Sequence, residues 1–199
     1  YGSTLNTRQY ATKGYLEKLI AQVFTGRERF EPGNPQEGYS PSPQERQSWL
    51  QISYMKEAYH TMGPKFTLGW MAEALYSSKN FSENYTATMM QAGEFAPTPH
   101  SKLMYNEAFR ANQYVAAGIK PIYVLNDMFQ FRTEFYGFTP IFPIKKNALN
   151  KAYYGKAFSR FEYMGEVSVI CHLPFGAISA YVNHYSSPRR EWNVGMTIG

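Results

Sequence analysis

The sequence predicts an all-β chain, a transmembrane antiparallel β-barrel with about eight strands in these 199 residues. Three observations predict it: period-two alternation, short and long connections taking turns, and charge gathered on one face of the strands. Composition sets the frame. Aromatic residues make up 17% and hydrophobic residues 44% of the chain, which excludes a disordered tail. No stretch approaches the roughly 18 to 20 consecutive apolar residues of a membrane-spanning helix, so any crossing would be made by strands.

The first strand is expected from Tyr15 to Arg29, although Leu16, Leu19, Ile20 and Val23 also fit helical spacing and make a helix over Tyr15 to Phe24 the competing reading. The second runs from Gln47 to His60. In the third, Phe66, Leu68, Trp70, Ala72, Ala74 and Tyr76 oppose Thr67, Gly69, Met71, Glu73 and Ser77. The fourth sets Val115, Ala117, Ile119, Pro121, Tyr123 and Leu125 against Tyr114, Ala116, Gly118 and Lys120. The fifth, from Phe129 to Gly137, sets Phe129, Phe131, Thr133 and Phe135 against Gln130, Arg132, Glu134 and Tyr136. From Phe161 to Leu173 the alternation is unbroken. Ile178, Ala180 and Val182 mark the seventh strand, and Trp192, Val194, Met196 and Ile198 the eighth.

Short turns are expected at Thr61 to Lys65, Asn126-Asp127 and Pro174 to Gly176, and long loops at residues 31–46, 79–112 and 145–156. That is the layout of a transmembrane barrel, with short periplasmic turns and longer outer loops. Ser186 to Arg190 is the one outer connection that stays short. The longest loop, 79–112, would plug the barrel, bind a partner or pack on its rim. Residues 1–14 read as a linker and 15–199 as the barrel, and both ends look cut, as in a fragment of a longer protein.

The charged residues Arg132, Glu134, Arg160, Glu162 and Glu166, with His172, share the face opposite the aromatic and aliphatic band. They are the candidate lumen charge cluster, either pairing among themselves or lining a permeation path or substrate site. A soluble exterior would carry the same pattern, with the apolar face turned inward. Trp49, Tyr59, Tyr76, Tyr123, Tyr136, Tyr185 and Trp192 fall near strand ends, where interfacial girdles place amphipathic rings.

Other chemistry is thin. Lys plus Arg exceed Asp plus Glu by 5, but they are spread along the chain, so no nucleic acid is expected. The single cysteine, Cys171, excludes an internal disulfide and a cysteine-based zinc site. His60, His100, His172 and His184 lack ligand spacing and Asp127 is the only aspartate, so no metal or other cofactor is expected.

Three stretches carry a resemblance: Gln113 to Ile122, Phe131 to Phe138, and Glu166 to Tyr185 with its Leu-Pro-Phe-Gly-Ala-Ile-Ser hairpin. Together they resemble the C-terminal outer-membrane barrel of patatin-like phospholipases from Bacteroidetes, in the bacterial surface antigen superfamily. The resemblance covers about residues 100 to 199 well and the first half loosely. It implies a bacterial outer-membrane location, lipid contact, an upstream hydrolase domain in the same protein, and a barrel that anchors or translocates it; by strand number alone, eight strands close by themselves or join eight from a second chain in a homodimer. The family's serine and aspartate motifs, Gly-x-Ser-x-Gly and Asp-Gly, are absent. Gly38-Tyr-Ser40-Pro-Ser42 lacks the last glycine and Asp127 precedes Met128. No catalytic residue transfers, and no enzyme activity is expected of this chain. The family's closing aromatic residue is also missing at Gly199. The rival readings are a soluble ligand-binding barrel and a small outer-membrane pore.

Overall fold

Long runs of alternating residues pair side by side in the computed structural model, which describes residues 1–7, 9–28, 46–187 and 192–199. The strands, in chain order, are β1 (Gly2–Ser3), β2 (Gly14–Arg27), β3 (Arg46–Thr61), β4 (Phe66–Ser77), β5 (Gly93–Glu94), β6 (Arg110–Ala111) and β7 (Gln113–Val124). After these come β8 (Phe129–Pro140), β9 (Ile144–Lys146), β10 (Ala152–Tyr154), β11 (Glu162–Leu173), β12 (Gly176–Tyr185) and β13 (Trp192–Ile198). One helix, α1 (Tyr85–Gln91), interrupts them. The main sheet has nine strands in the order β1-β2-β3-β4-β7-β8-β11-β12-β13, and every neighbouring pair is antiparallel.

All eight expected strands are present, and β1 adds a two-residue ninth. The helical alternative for Tyr15 to Phe24 is overturned. β2 pairs with β3 over its whole length, from Gly14↔Tyr59 to Arg27↔Arg46, and that ladder satisfies the backbone that a short isolated helix would leave marginal. The sheet does not close among the described residues: β2 beyond Glu17 and the outer edge of β13 have no strand partner. The loop expected at 31–46 and the end of the turn at Ser186 to Arg190 lie mostly outside the described residues.

Turn chemistry fixes the short ends. Asn126 Oδ1 accepts from the amides of Met128 and Phe129 at 3.0 and 2.8 Å, which closes the β7–β8 turn. In the Leu-Pro-Phe-Gly hairpin Gly176 has φ +155°, and a Cβ there would overlap the carbonyl of Gly199. The chain end lies against this turn, with Ala177 and Gly199 exchanging backbone hydrogen bonds of 2.5 and 3.0 Å.

The direction of the faces follows from burial. From β4 to β13 the face carrying Phe66, Tyr76, Val115, Ile119, Phe131, Phe135, Val167, Val169, Val194 and Ile198 is exposed. The opposite face buries Lys120, Gln130, Arg132, Glu134, Glu166, Ser168, Ser179 and Asn183. The sheet curls around these polar residues: Tyr59 on β3 reaches Arg132 on β8 at 2.9 Å although β4 and β7 lie between them.

The chain's own connections fill the hollow. Tyr10, in the N-terminal segment, hydrogen-bonds Ser179 at 2.7 Å and Thr197 at 3.2 Å. At the other end the long connection 79–112 is ordered into α1, the β5–β6 hairpin and two turns of 3-10 helix. Its Phe95 and Phe109 are 1% exposed and pack on Tyr114, Tyr136, Phe138 and Tyr185 from the wall. That segment sits inside the curl, as a plug. The 145–156 connection carries the β9–β10 hairpin.

Girdle aromatics divide by parity. Tyr76, Tyr123 and Trp192 are exposed on the outer face. Tyr59, Tyr136 and Tyr185 are at most 7% exposed on the inner face, and Trp49 faces inward to stack on Phe24 at 5.1 Å. The expectation of a girdle at those four positions is corrected: nearness to a strand end does not set which side a residue takes, and the two-residue period does.

Candidate functional site

Antiparallel registry places the inner-face charges level with one another. On β8, Arg132 and Glu134 are two residues apart and share a face, so Arg132 Nε meets Glu134 Oε1 at 2.5 Å. Arg132 then spends its other nitrogens on the carbonyl of Ala11 at 3.0 Å and the hydroxyl of Tyr59 at 2.9 Å. Glu134 takes a second hydrogen bond from the Tyr136 hydroxyl. Beside this pair, Lys120 on β7 meets Glu57 on β3 at 2.8 Å, and Tyr59 also donates to Glu57. Lys120 Nζ stands 5.8 Å from the ring centres of both Tyr59 and Tyr136.

This is a neutral, two-by-two charge network with nearly every polar atom engaged. Buried ion pairs hold only when such additional hydrogen bonds offset desolvation. Its chemistry is cross-linking: Arg132 ties β8 to β3 and to the N-terminal segment.

Close approach of tyrosine makes the network possible. Tyr59 lies directly opposite Gly69, Tyr136 opposite Gly118, and Tyr181 opposite Gly195. In each pair a Cβ on the glycine would overlap the tyrosine ring or hydroxyl. The missing side chain lets the ring lie down across the neighbouring strand and aim its hydroxyl along the inner face.

The six expected cluster residues do not form one site. Arg132 and Glu134 are the centre. Arg160 and Glu162 pair at 3.0 Å near the long-loop end, where Arg160 also donates to the carbonyl of Ala108 and Ser186 donates to Glu162 at 2.6 Å. They clamp the plug segment to the wall. Glu166 lies directly opposite Glu134 in the β8–β11 register and is 6% exposed, with no hydrogen-bond partner for its Oε2. His172 stands near the short-turn end, 2.7 Å from the Gln130 amide nitrogen.

There, Gln130 and His172 line a cavity of about 770 Å³ with Tyr10, Thr67 and Asp127. Sequence reasoning missed Glu57, Tyr59 and Tyr136 as network members. Lys120 was legible as polar-face, but its partner lies 63 residues away, and nothing local marks the pair.

A second polar latch holds the plug. His100 Nδ1 is 2.9 Å from both the Tyr185 hydroxyl and the Asn183 amide nitrogen, and burial holds the imidazole below its ordinary pKa. Among the described residues no group of three or more His, Cys, Asp or Glu side chains could hold a metal ion. No helix of the described residues is long and apolar enough to cross a membrane.

No protein-family model, curated protein or solved structure matches the chain.

Proposed function

We propose that the chain is a non-catalytic membrane anchor, a β-barrel wall that holds a patatin-like lipid-hydrolase domain of the same protein at the bacterial outer membrane and serves as its translocator. One observation carries the membrane reading. On the described main-sheet strands from β4 to β13 the exposed face bears no Asp, Glu, Lys or Arg, while Lys120, Arg132, Glu134 and Glu166 are buried on the other face. Water would favour the reverse arrangement, and a bilayer favours this one.

Strand length supports it, since β4, β7, β8 and β11 each have 12 residues and a tilted strand crosses in roughly 9 to 11. The soluble barrel needs the apolar face inward, opposite to the burial seen here. The pore reading has against it the N-terminal segment and the Phe95–Phe109 plug within the curl. The resemblance at Gln113 to Ile122, Phe131 to Phe138 and Glu166 to Tyr185 supports the lipid-hydrolase connection.

The test is flotation of the full chain with liposomes, followed by an unboiled gel. Co-flotation that resists alkaline carbonate and a heat-modifiable band are expected. A monodisperse protein in detergent-free buffer that stays with the dense fraction would overturn the proposal.

A further inference from the structure

Among the described residues the exposed face of the strands carries one charged notch, away from the strand ends where Arg27 and Arg46 stand. Glu17 on β2 and Lys56 on β3 lie directly opposite each other and project outward. Their side chains are 40% and 39% exposed, and Lys56 Nζ is 3.8 Å from Glu17 Oε2, beyond hydrogen-bond reach. Tyr54 donates to the other carboxylate oxygen, Oε1, at 2.6 Å. Around them Tyr15, Ala58, His60 and Trp70 complete a cavity of about 520 Å³. Trp70 Nε1 donates to His60 Nε2 at 3.3 Å, which places the histidine proton on Nδ1, another donor.

An outward charge pair is costly at a bilayer midplane and nearly free at its interface. Tyr15, Tyr54 and Trp70 are the rings that settle at headgroup level. A loosely held cation and anion, each with unused bonding capacity, complement a zwitterion. Lys56 and His60 offer donors to a phosphate, and Glu17 Oε2 offers an acceptor to an ammonium group. An ammonium that retains its hydrogens meets that acceptor, whereas a fully methylated one does not.

We propose that the notch between β2, β3 and β4 seats the headgroup of a bilayer phospholipid bearing a phosphate and a primary ammonium, with Lys56 on the phosphate and Glu17 on the ammonium. The proposal rests on the membrane reading above.

It is tested by native mass spectrometry of the full chain in detergent, with phosphatidylethanolamine, phosphatidylcholine or phosphatidylglycerol added in turn. Phosphatidylethanolamine is expected to be retained best. Retention should fall roughly tenfold in Lys56→Ala, the effect of one lost charge-assisted hydrogen bond, and recover in Lys56→Arg. Glu17→Gln should remove the preference for the ethanolamine over the glycerol headgroup. Both positions are half-exposed, and an unchanged heat-modifiable band confirms that the variants fold. Headgroup-blind retention by a chain that enters liposomes would overturn the lipid site alone, as would equal retention by Lys56→Ala. A chain that does not enter liposomes overturns the membrane reading and this proposal together.

Discussion

The same substitution on two facing carboxylates should change stability in opposite directions. Glu134 and Glu166 are directly opposite each other on β8 and β11, both on the inner face, 7% and 6% exposed. Glu134 binds Arg132 and Tyr136, so Glu134→Gln leaves a guanidinium that is 2% exposed with only the Ala11 carbonyl and the Tyr59 hydroxyl. Breaking a buried pair in this way costs about 3 to 5 kcal/mol.

Glu166 has no salt-bridge partner among the described residues, one oxygen without a hydrogen bond, and a like charge facing it. Facing like charges destabilise by up to about 1 kcal/mol, and an unsatisfied buried polar atom costs about 1 to 3 kcal/mol. Glu166→Gln removes the first penalty, for a gain of up to about 1 kcal/mol. Urea unfolding in detergent, read as the fraction of heat-modifiable band, gives both midpoints. A loss for Glu166→Gln comparable with that of Glu134→Gln would refute the argument, because it would mean that the Glu166 charge is itself held by the fold.

Three further outcomes are expected. Tyr10→Phe removes the hydroxyl that bonds Ser179 and Thr197; it should cost about 1 kcal/mol and speed proteolysis within residues 1–13, and an unchanged digestion rate would show that the segment is held elsewhere. Gly118→Ala pushes on the Tyr136 ring and should cost about 1 to 3 kcal/mol, with much of the loss absent when Tyr136 is also alanine; strict additivity of the two changes would count against the contact. The third concerns pH. Because burial lowers the His100 pKa, the undocked loop binds the proton more readily, so docking is at full strength above the ordinary histidine value of 6.5 and weakens as pH falls through the lowered one. Protonated Nδ1 would also face the Asn183 amide donor. Limited proteolysis within 79–112 should accelerate as pH falls below the ordinary histidine value of 6.5, and His100→Gln should flatten that dependence; a pH-independent rate in the parent chain would dismiss the latch.

Strand identity was legible because each inner position must differ in polarity from its outer neighbours. The unbroken run from Phe161 to Leu173 therefore located β11 to within a residue, and the same logic separated Lys120 and Arg132 from the aromatic band. The side toward which each face turns was not legible, since alternation is symmetric under inversion and only burial breaks the tie. The girdle failed at Tyr59, Tyr136 and Tyr185 for a related reason: tyrosine suits both an interface and a hydrogen-bonded interior, and its parity, not its chemistry, decides. Least visible was the filling. Thr4 to Lys13 has no periodicity, yet Tyr10 and Ala11 accept hydrogen bonds from Gln130 and Arg132 about 120 residues later.

The tyrosine–glycine pairs have a consequence for how such a wall would assemble. Each works only at one registry, because sliding β7 past β8 by two residues would set the Tyr136 ring against Lys120 or Ala116, whose side chains occupy the space that Gly118 leaves open. Hydrogen bonding along the backbone is nearly indifferent to such a slide, and polarity is conserved under it. The pairs at Tyr59, Tyr136 and Tyr181 thus act as notches along a ratchet, one on each of three seams, where a misaligned hairpin meets a steric stop before neighbouring strands commit to it.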